Sequence, residues 1–354
     1  MDRLRFTHGG NVYQAQEEYR GKIMDFSANI NPLGLPPQVK REVFKDFASI
    51  LHYPDPEAKG IKRKIAQYWG IEEKNILMGN GSVELIYLIM LTYRPRKVLI
   101  PSPTFSEYER AVKEFGGTPQ FLRLREREGF RLNHDGLSNI REFEAIFICN
   151  PNNPTGNLLF EKPQEVENLP GKLMVVDEAF MDFLPQEKDY TLIWKAVKNK
   201  YLIVLRTFTK MFALPGLRIG YLVAHKEIVS KLKGHQLPWS VNSLAQIAAE
   251  AVLEAKEHIR KTREFIEKER KFLFRELGRV KGLMPYPSVT NFLLVSIEKN
   301  NMTASSLAKK LLKYGILIRD CSNFRSLSNK FIRIAVRAHG ENVCLLKHLK
   351  GILE

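Results

Sequence analysis

Between residues 97 and 205 the apolar positions come in short unbroken runs rather than in alternation. The runs are Lys97-Val98-Leu99-Ile100, Phe143-Glu144-Ala145-Ile146-Phe147-Ile148-Cys149, Leu173-Met174-Val175-Val176 and Leu202-Ile203-Val204-Leu205. Runs of this kind predict strands buried on both faces. Helices are expected over residues 38–50, 57–68 and 105–115, and Asn75 to Ile86 reads as a short strand, a glycine turn and a helix start. The alternation predicts an α/β fold with a mostly parallel sheet covered by helices. After about Ser240 the pattern changes to a long charged helix (243–278), then strands near 291–295, 316–319 and 331–336 and a closing helix near 341–353. The expected organisation is an N-terminal arm (1–40), a large domain (41–242), a connecting helix (243–278) and a smaller α+β C-terminal domain (279–354) against which the arm packs.

In such sheets ligands sit beyond the carboxyl ends of the strands. Three of the predicted strands end in polar residues: Asn153, Asp177, and the group from Thr207 to Lys210. The last lies in Arg206-Thr207-Phe208-Thr209-Lys210, with Arg218 eight positions beyond the lysine. A buried lysine beside a cation has its neutral form favoured, as a Schiff-base nucleophile requires. Hydroxyls and a guanidinium close by could hold a phosphate. Read by itself the stretch fits a surface lysine on a strand–helix loop better; the polar ends of the other strands give it weight. Gly79-Asn80-Gly81-Ser82 could likewise be an anion site at a helix N-terminus or an ordinary helix start. Asn29 and Asn31, in Ser27-Ala28-Asn29-Ile30-Asn31-Pro32, read as turn-formers.

The chain has 354 residues, 44% of them hydrophobic and 27% charged, which indicates a globular protein of more than one compact core. No apolar signal segment and no membrane-length run is visible, so a cytoplasmic location is expected, with no membrane partner. Cys149, Cys321 and Cys344 have no metal-ligand or disulfide spacing and are expected to be buried or semi-buried. No metal is expected. The net charge of +16 is dispersed, and its densest run, residues 260–271, alternates in sign. A phosphorylated small substrate suits that field better than nucleic acid.

Gly79-Asn80-Gly81-Ser82, Asn152-Asn153-Pro154-Thr155-Gly156, Asp177-Glu178-Ala179 and Thr209-Lys210 with Arg218 occur in that order, 24 residues from Asn153 to Asp177 and 33 from Asp177 to Lys210. In these motifs, and over nearly its whole length, the chain resembles the fold-type I pyridoxal-phosphate enzymes of the class I/II aminotransferase superfamily. The resemblance implies an aspartate-aminotransferase-like fold with pyridoxal 5'-phosphate held covalently by Lys210, the catalytic residue. It implies Asp177 at the pyridinium nitrogen, Asn153 at the ring 3-oxygen, and Tyr108 stacked on the ring. Gly81, Ser82, Val83, Thr207, Thr209 and Arg218 would surround the cofactor phosphate, and Tyr53 would reach that of a neighbouring subunit. A homodimer with shared active sites follows.

Within the superfamily, the chain resembles threonine-phosphate decarboxylases in His8-Gly9-Gly10-Asn11, in the stretch from Phe26 to Gly34, in Leu237-Pro238-Trp239-Ser240-Val241-Asn242 and in Ile316-Leu317-Ile318-Arg319-Asp320-Cys321. Histidinol-phosphate aminotransferases and threonine-phosphate decarboxylases both share Tyr53-Pro54-Asp55-Pro56, Gly79-Asn80-Gly81-Ser82 and the Arg333 strand, and Arg333-Ile334-Ala335-Val336-Arg337 resembles the decarboxylase version. Aminotransferases of this kind usually carry a tyrosine three residues after the pyridine aspartate, where this chain has Phe180. Decarboxylation of L-threonine O-3-phosphate is therefore the first expectation, and transamination of histidinol phosphate with 2-oxoglutarate the second. His8, Asn31, Arg319, Arg333 and Arg337 are the residues implied to meet the substrate.

Overall fold

The computed structural model describes residues 8–132, 142–166, 172–299 and 301–354; the first seven residues of the arm lie outside them. In the arm, β1 (Met24–Asp25) follows a short helix, Val12–Glu18. The large sheet contains β2 (Ile76–Gly79), β3 (Lys97–Ser102), β4 (Thr118–Arg123), β5 (Ala145–Cys149), β6 (Leu173–Asp177), β7 (Leu202–Thr207) and β8 (Gly220–Ala224). Its spatial order is β2-β8-β7-β6-β5-β3-β4, parallel except for β8, which runs antiparallel to both neighbours.

Successive residues of a strand point to opposite faces, and here both faces are buried. Phe147, Val175, Ile203 and Leu205 pack with Leu85 and Ile86 of the helix Gly81–Tyr93 and with Ala111 of Ser106–Glu114. Ile146, Ile148, Val176 and Val204 pack on the other side with Ile61, Ile65 and Trp69 of the helix Lys59–Trp69. That burial is the physical meaning of the unbroken apolar runs.

The second unit holds β9 (Leu283–Pro285), β10 (Phe292–Ile297), β11 (Ile316–Leu317), β12 (Arg319–Asp320) and β13 (Phe331–Ala335). Four of these form an antiparallel sheet in the order β12-β13-β10-β9, while β11 pairs in parallel with β1 of the arm, Met24 opposite Ile316. The strand expected over residues 316–319 is thus divided at Ile318, where the chain leaves one sheet and enters another.

Two expected helices are also divided. The first ends at Lys45 and gives way to a 3₁₀ turn, Phe47–Leu51. Phe44, Phe47, Ile50 and Leu51 are exposed, so the packing that normally sustains a helix is missing there. The long charged helix is two, Ser243–Val252 and Lys256–Leu277. At the break Lys64 Nζ donates to the Glu250 carbonyl and to Glu254, occupying an acceptor the helix would have used. The first piece packs on Pro37–Lys45 and Lys59–Trp69 of the large unit, and the second against β9, β10 and the closing helix His339–Leu353. Among the described residues no helix is long and apolar enough to cross a membrane.

Candidate active site

The carboxyl ends of β5, β6 and β7 open onto one cavity, closed from the other side by the arm and by β12 and β13. Lys210 enters it from the loop after β7, its Nζ 6.0 Å from the centre of the Phe180 ring. Burial, and after it the neighbouring Arg333 and Arg218, pulls the ammonium down to about 8, so an appreciable share is neutral near neutral pH.

The loop is anchored from beneath. Arg206 is only 1% exposed and points to the opposite face of β7 from Thr207. It donates to Glu178 at 3.0 Å, Asp182 at 2.7 Å and Glu187 at 2.7 Å, and lies 5.0 Å over the Trp69 ring. Arg263, from the helix Lys256–Leu277, adds a second cation 2.9 Å from Glu187. Burial pushes Asp182 up to about 7; Glu187 stays below its ordinary value because the two arginines outweigh its burial.

Asp177, 4% exposed at the end of β6, accepts from the Tyr108 hydroxyl at 2.8 Å and from the Ala179 N–H at 3.0 Å. Burial raises it above the usual carboxylate range. The Tyr108 ring is stacked on Phe147 at 5.5 Å, and its hydroxyl is committed to Asp177. Asn153 follows β5 and accepts from Arg333.

At one end of the cavity stands the N-terminus of the helix Gly81–Tyr93, with Ser82 and Val83 in the lining. Gly81 has φ +79°, and a Cβ there would lie 2.6 Å from Arg218 Nη2. Arg218 is itself left-handed at φ 57°, a conformation costly for a side-chain-bearing residue. Thr207 and Thr209 complete this end, their hydroxyls 2.9 Å apart. Free helix N–H groups, two hydroxyls and a guanidinium are the chemistry of a phosphate cradle.

On the opposite wall Arg319 and Arg333 are register partners across β12 and β13, 7% and 6% exposed, and both line the cavity. Arg319 donates to the Asp320 carbonyl and to Asn323 Oδ1, Arg333 to Asn153 Oδ1 and the Ser27 carbonyl, so all four acceptors are neutral oxygens. Arg333 Nε finds no partner in the structure. Burial, and after it Arg319, brings the Arg333 guanidinium down to about 10, and burial lowers Arg319. Facing like charges destabilise a strand pair, and buried charges call for a counter-ion. The arrangement suits an anion.

His8 is in the lining, 2.8 Å from Glu107. Asn31, expected at the substrate, is not in the lining. Its Nδ2 donates to the Met211 carbonyl at 2.8 Å and to Thr262 at 2.9 Å, and its backbone N–H to the Lys210 carbonyl at 3.1 Å. It braces the lysine loop from behind. Asn29 occupies the place instead, 2% exposed with its Oδ1 unpartnered. Both asparagines were visible in the sequence, but an irregular loop has no period from which to read which one faces inward. Arg337 is likewise outside the lining and pairs with Glu341 at 3.0 Å. Tyr53 is 80% exposed and stacked on Trp239 at 4.6 Å, away from this chain's own cavity. Gly9, Phe105, Ala179 and Phe324, not expected from sequence as site residues, also contribute to the wall.

Comparison with known proteins agrees with this geometry. The chain is 35% identical to the threonine-phosphate decarboxylase of Salmonella typhimurium over 98% of its own length and 96% of that protein. Its structure superposes with a TM-score of 0.85 on the histidinol-phosphate aminotransferase of Clostridium acetobutylicum (32% identity, 92% of this chain and 98% of that one). It superposes with a TM-score of 0.84 on the L-threonine-O-3-phosphate decarboxylase of Porphyromonas gingivalis (28% identity, 93% and 98%). The family model for aminotransferase class I and II matches residues 21–349, from just before β1 into the closing helix, and the chain belongs to that family.

Proposed function

We propose that the chain is a pyridoxal 5'-phosphate-dependent decarboxylase of L-threonine O-3-phosphate, releasing CO2 and 1-aminopropan-2-yl phosphate. The residues present fit the cofactor by their chemistry. Asp177 is a buried carboxylate with no cation bonded to it, and Gly81 leaves beside Arg218 a cradle that a Cβ would fill. Asp177 would hold the ring nitrogen, Asn153 the ring 3-oxygen, and Lys210 the aldehyde carbon. Gly81, Ser82, Val83, Thr207, Thr209 and Arg218 would hold the phosphate. When bound, pyridoxal 5'-phosphate supplies an electron sink for the pair left at the substrate's α-carbon.

The observation that carries the substrate is the facing pair Arg319 and Arg333. Threonine phosphate brings two anionic groups, and the two guanidiniums, with Asn29 and His8 beside them, offer a grip on each. A substrate held at both ends can present its Cα–carboxylate bond in one fixed orientation, and orientation decides which bond at that carbon breaks. Lys210 Nζ then delivers a proton to the α-carbon in place of the lost CO2. Phe180, 3% exposed, supports the same reading because it places a hydrocarbon face, not a hydroxyl, beside the lysine.

Transamination of histidinol phosphate is the second reading, favoured by the likeness to the Clostridium enzyme. One experiment separates the two. Holoenzyme given threonine phosphate and no oxo acid is expected to release CO2 and 1-aminopropan-2-yl phosphate in equal amounts. No CO2, with histidinol phosphate converting the cofactor to its amine form, would sink the first reading.

The same reading includes a homodimer with shared sites. Tyr53 and its neighbours Phe47, Ile50 and Leu51 are exposed, as is Leu237, which leaves apolar side chains for a second subunit to cover. Sedimentation is expected to give twice the chain mass, and Tyr53→Phe to weaken retention of the cofactor at the second subunit. A monomer mass with full activity would refute it.

A further inference from the structure

The helix Ser106–Glu114 sends three consecutive side chains in three directions. Glu107 takes His8 at 2.8 Å, Tyr108 donates to Asp177 at 2.8 Å, and Glu109 accepts from Arg325 at 2.7 and 3.1 Å. Successive helical residues are turned by about 100°, so one turn of helix reaches the arm, the centre of the cavity and the second unit together.

The Glu109–Arg325 contact is a two-pronged carboxylate–guanidinium pair. Arg325 also lies 4.1 Å over the Phe121 ring on β4. The next residue, Ser326, left-handed at φ 70°, sets its hydroxyl 2.8 Å from that of Ser102 at the end of β3. Loop 321–329 is therefore fastened to the large sheet by contacts that are not part of the cavity wall. The inner side of the same loop does belong to the wall: the Arg319 guanidinium lies 5.0 Å over the Phe324 ring and donates to Asn323 at 2.7 Å.

We propose that Glu109 and Arg325 are positioning residues for the substrate phosphate. Their ion pair holds loop 321–329 so that Asn323 and Phe324 keep Arg319 aimed into the cavity. The need is physical. Arg319 faces Arg333, and like charges drive it outward toward water unless the loop beneath it is stiff. An exposed ion pair contributes little alone. Here the paired prongs, the aromatic face and the serine contact act on one short loop. The proposal rests on the function proposed above and takes Arg319, of the two facing guanidiniums, as the one that meets the substrate phosphate.

The test uses holoenzyme of the wild type, R325M, E109Q and the reversed pair E109R/R325E. Glu109 also holds Lys113 at 2.6 Å, so the reversed pair is made with Lys113→Gln, alongside a Lys113→Gln control. Each single variant is expected to raise KM for threonine phosphate about fivefold with kcat within about twofold, the loss of one partly exposed pair. Inorganic phosphate, titrated by calorimetry without turnover, should weaken by the same factor. The reversed pair should return both values to within about twofold of its control. Unchanged phosphate affinity in both single variants overturns the proposal. So does a reversed pair as impaired as the singles, since side-chain bulk rather than pairing would then be at issue. If the wild type binds phosphate but releases no CO2, the reaction assigned above fails while the phosphate titrations still decide this proposal.

Discussion

On the proposed reading, Lys210→Ala is expected to lower CO2 release from threonine phosphate by about a thousandfold or more, because it removes both the amine assigned to the cofactor's aldehyde and the proton donor assigned to the α-carbon. Among the described residues Lys210 is the one lysine in the cavity wall. Its neighbours there, Arg218, Arg319 and Arg333, stay protonated near neutral pH and so offer no nucleophilic nitrogen. The variant should also lose the visible absorbance that appears when pyridoxal 5'-phosphate is added to the apoprotein. A band reducible by borohydride that survives the substitution would show that another amine holds the aldehyde. The pH dependence has a definite sign. Attack requires the neutral amine, and the ammonium is held down to about 8. Cofactor uptake by the wild-type apoprotein should therefore accelerate about tenfold per pH unit below that value and level off above it. Were Lys210 an ordinary exposed lysine, the rise would continue to beyond pH 10.

The second large effect is on stability. Arg206→Met is expected to destabilise the protein by about 3–5 kcal/mol, read as a lower urea midpoint at fixed protein concentration. The methionine fills a similar volume, so the loss is not mainly a cavity. It comes from leaving Glu178, 0% exposed in its side chain, and Glu187, 4% exposed, beside Asp182 with Arg263 as the one cation paired with them among the described residues. Adding Glu178→Gln to Arg206→Met should recover part of the loss, because one of the uncompensated charges goes with it. A single variant whose midpoint falls by less than about 1 kcal/mol in equivalent stability would show that the cluster is already relaxed by water. Since Arg206 directly precedes Thr207, the variant should also loosen the lysine loop.

How much of this could be read from the chain follows from what each residue touches. β3, β5, β6 and β7 were legible because both their faces are buried, and a run such as Ala145 to Cys149 has no polar alternative. β4 was not. It is an edge strand of half-buried and exposed positions with a proline second in line, and its pattern resembles a loop. β8 is fully buried, but it comes directly after the glycine- and proline-containing loop that carries Arg218. The residues around Lys210, Asp177 and Arg333 were found because their order and spacing match a family. The structure puts them on one cavity through strands that share a carboxyl edge. Asn29 and Asn31 mark the limit. Two identical side chains two residues apart divide into one lining the cavity and one bonded to Thr262, and only the fold says which. Arg337 carried a local warning: Glu341 stands four positions on, at the helical spacing of an ion pair.

The pairing of Met24 with Ile316 has a consequence for how the protein is made. These partners are about 290 residues apart in the chain, yet they set the arm that brings His8 and Asn29 to the cavity. On a ribosome adding about 5–20 residues per second, the arm waits some tens of seconds for its strand partner to emerge. During that interval the large sheet can form and Lys210 can take its place, but the substrate wall cannot. The arm, made long before its strand partner, is thus among the last segments to be placed, and a chain interrupted before residue 316 is expected to hold the Lys210 side of the cavity without its Arg319 and Arg333 wall.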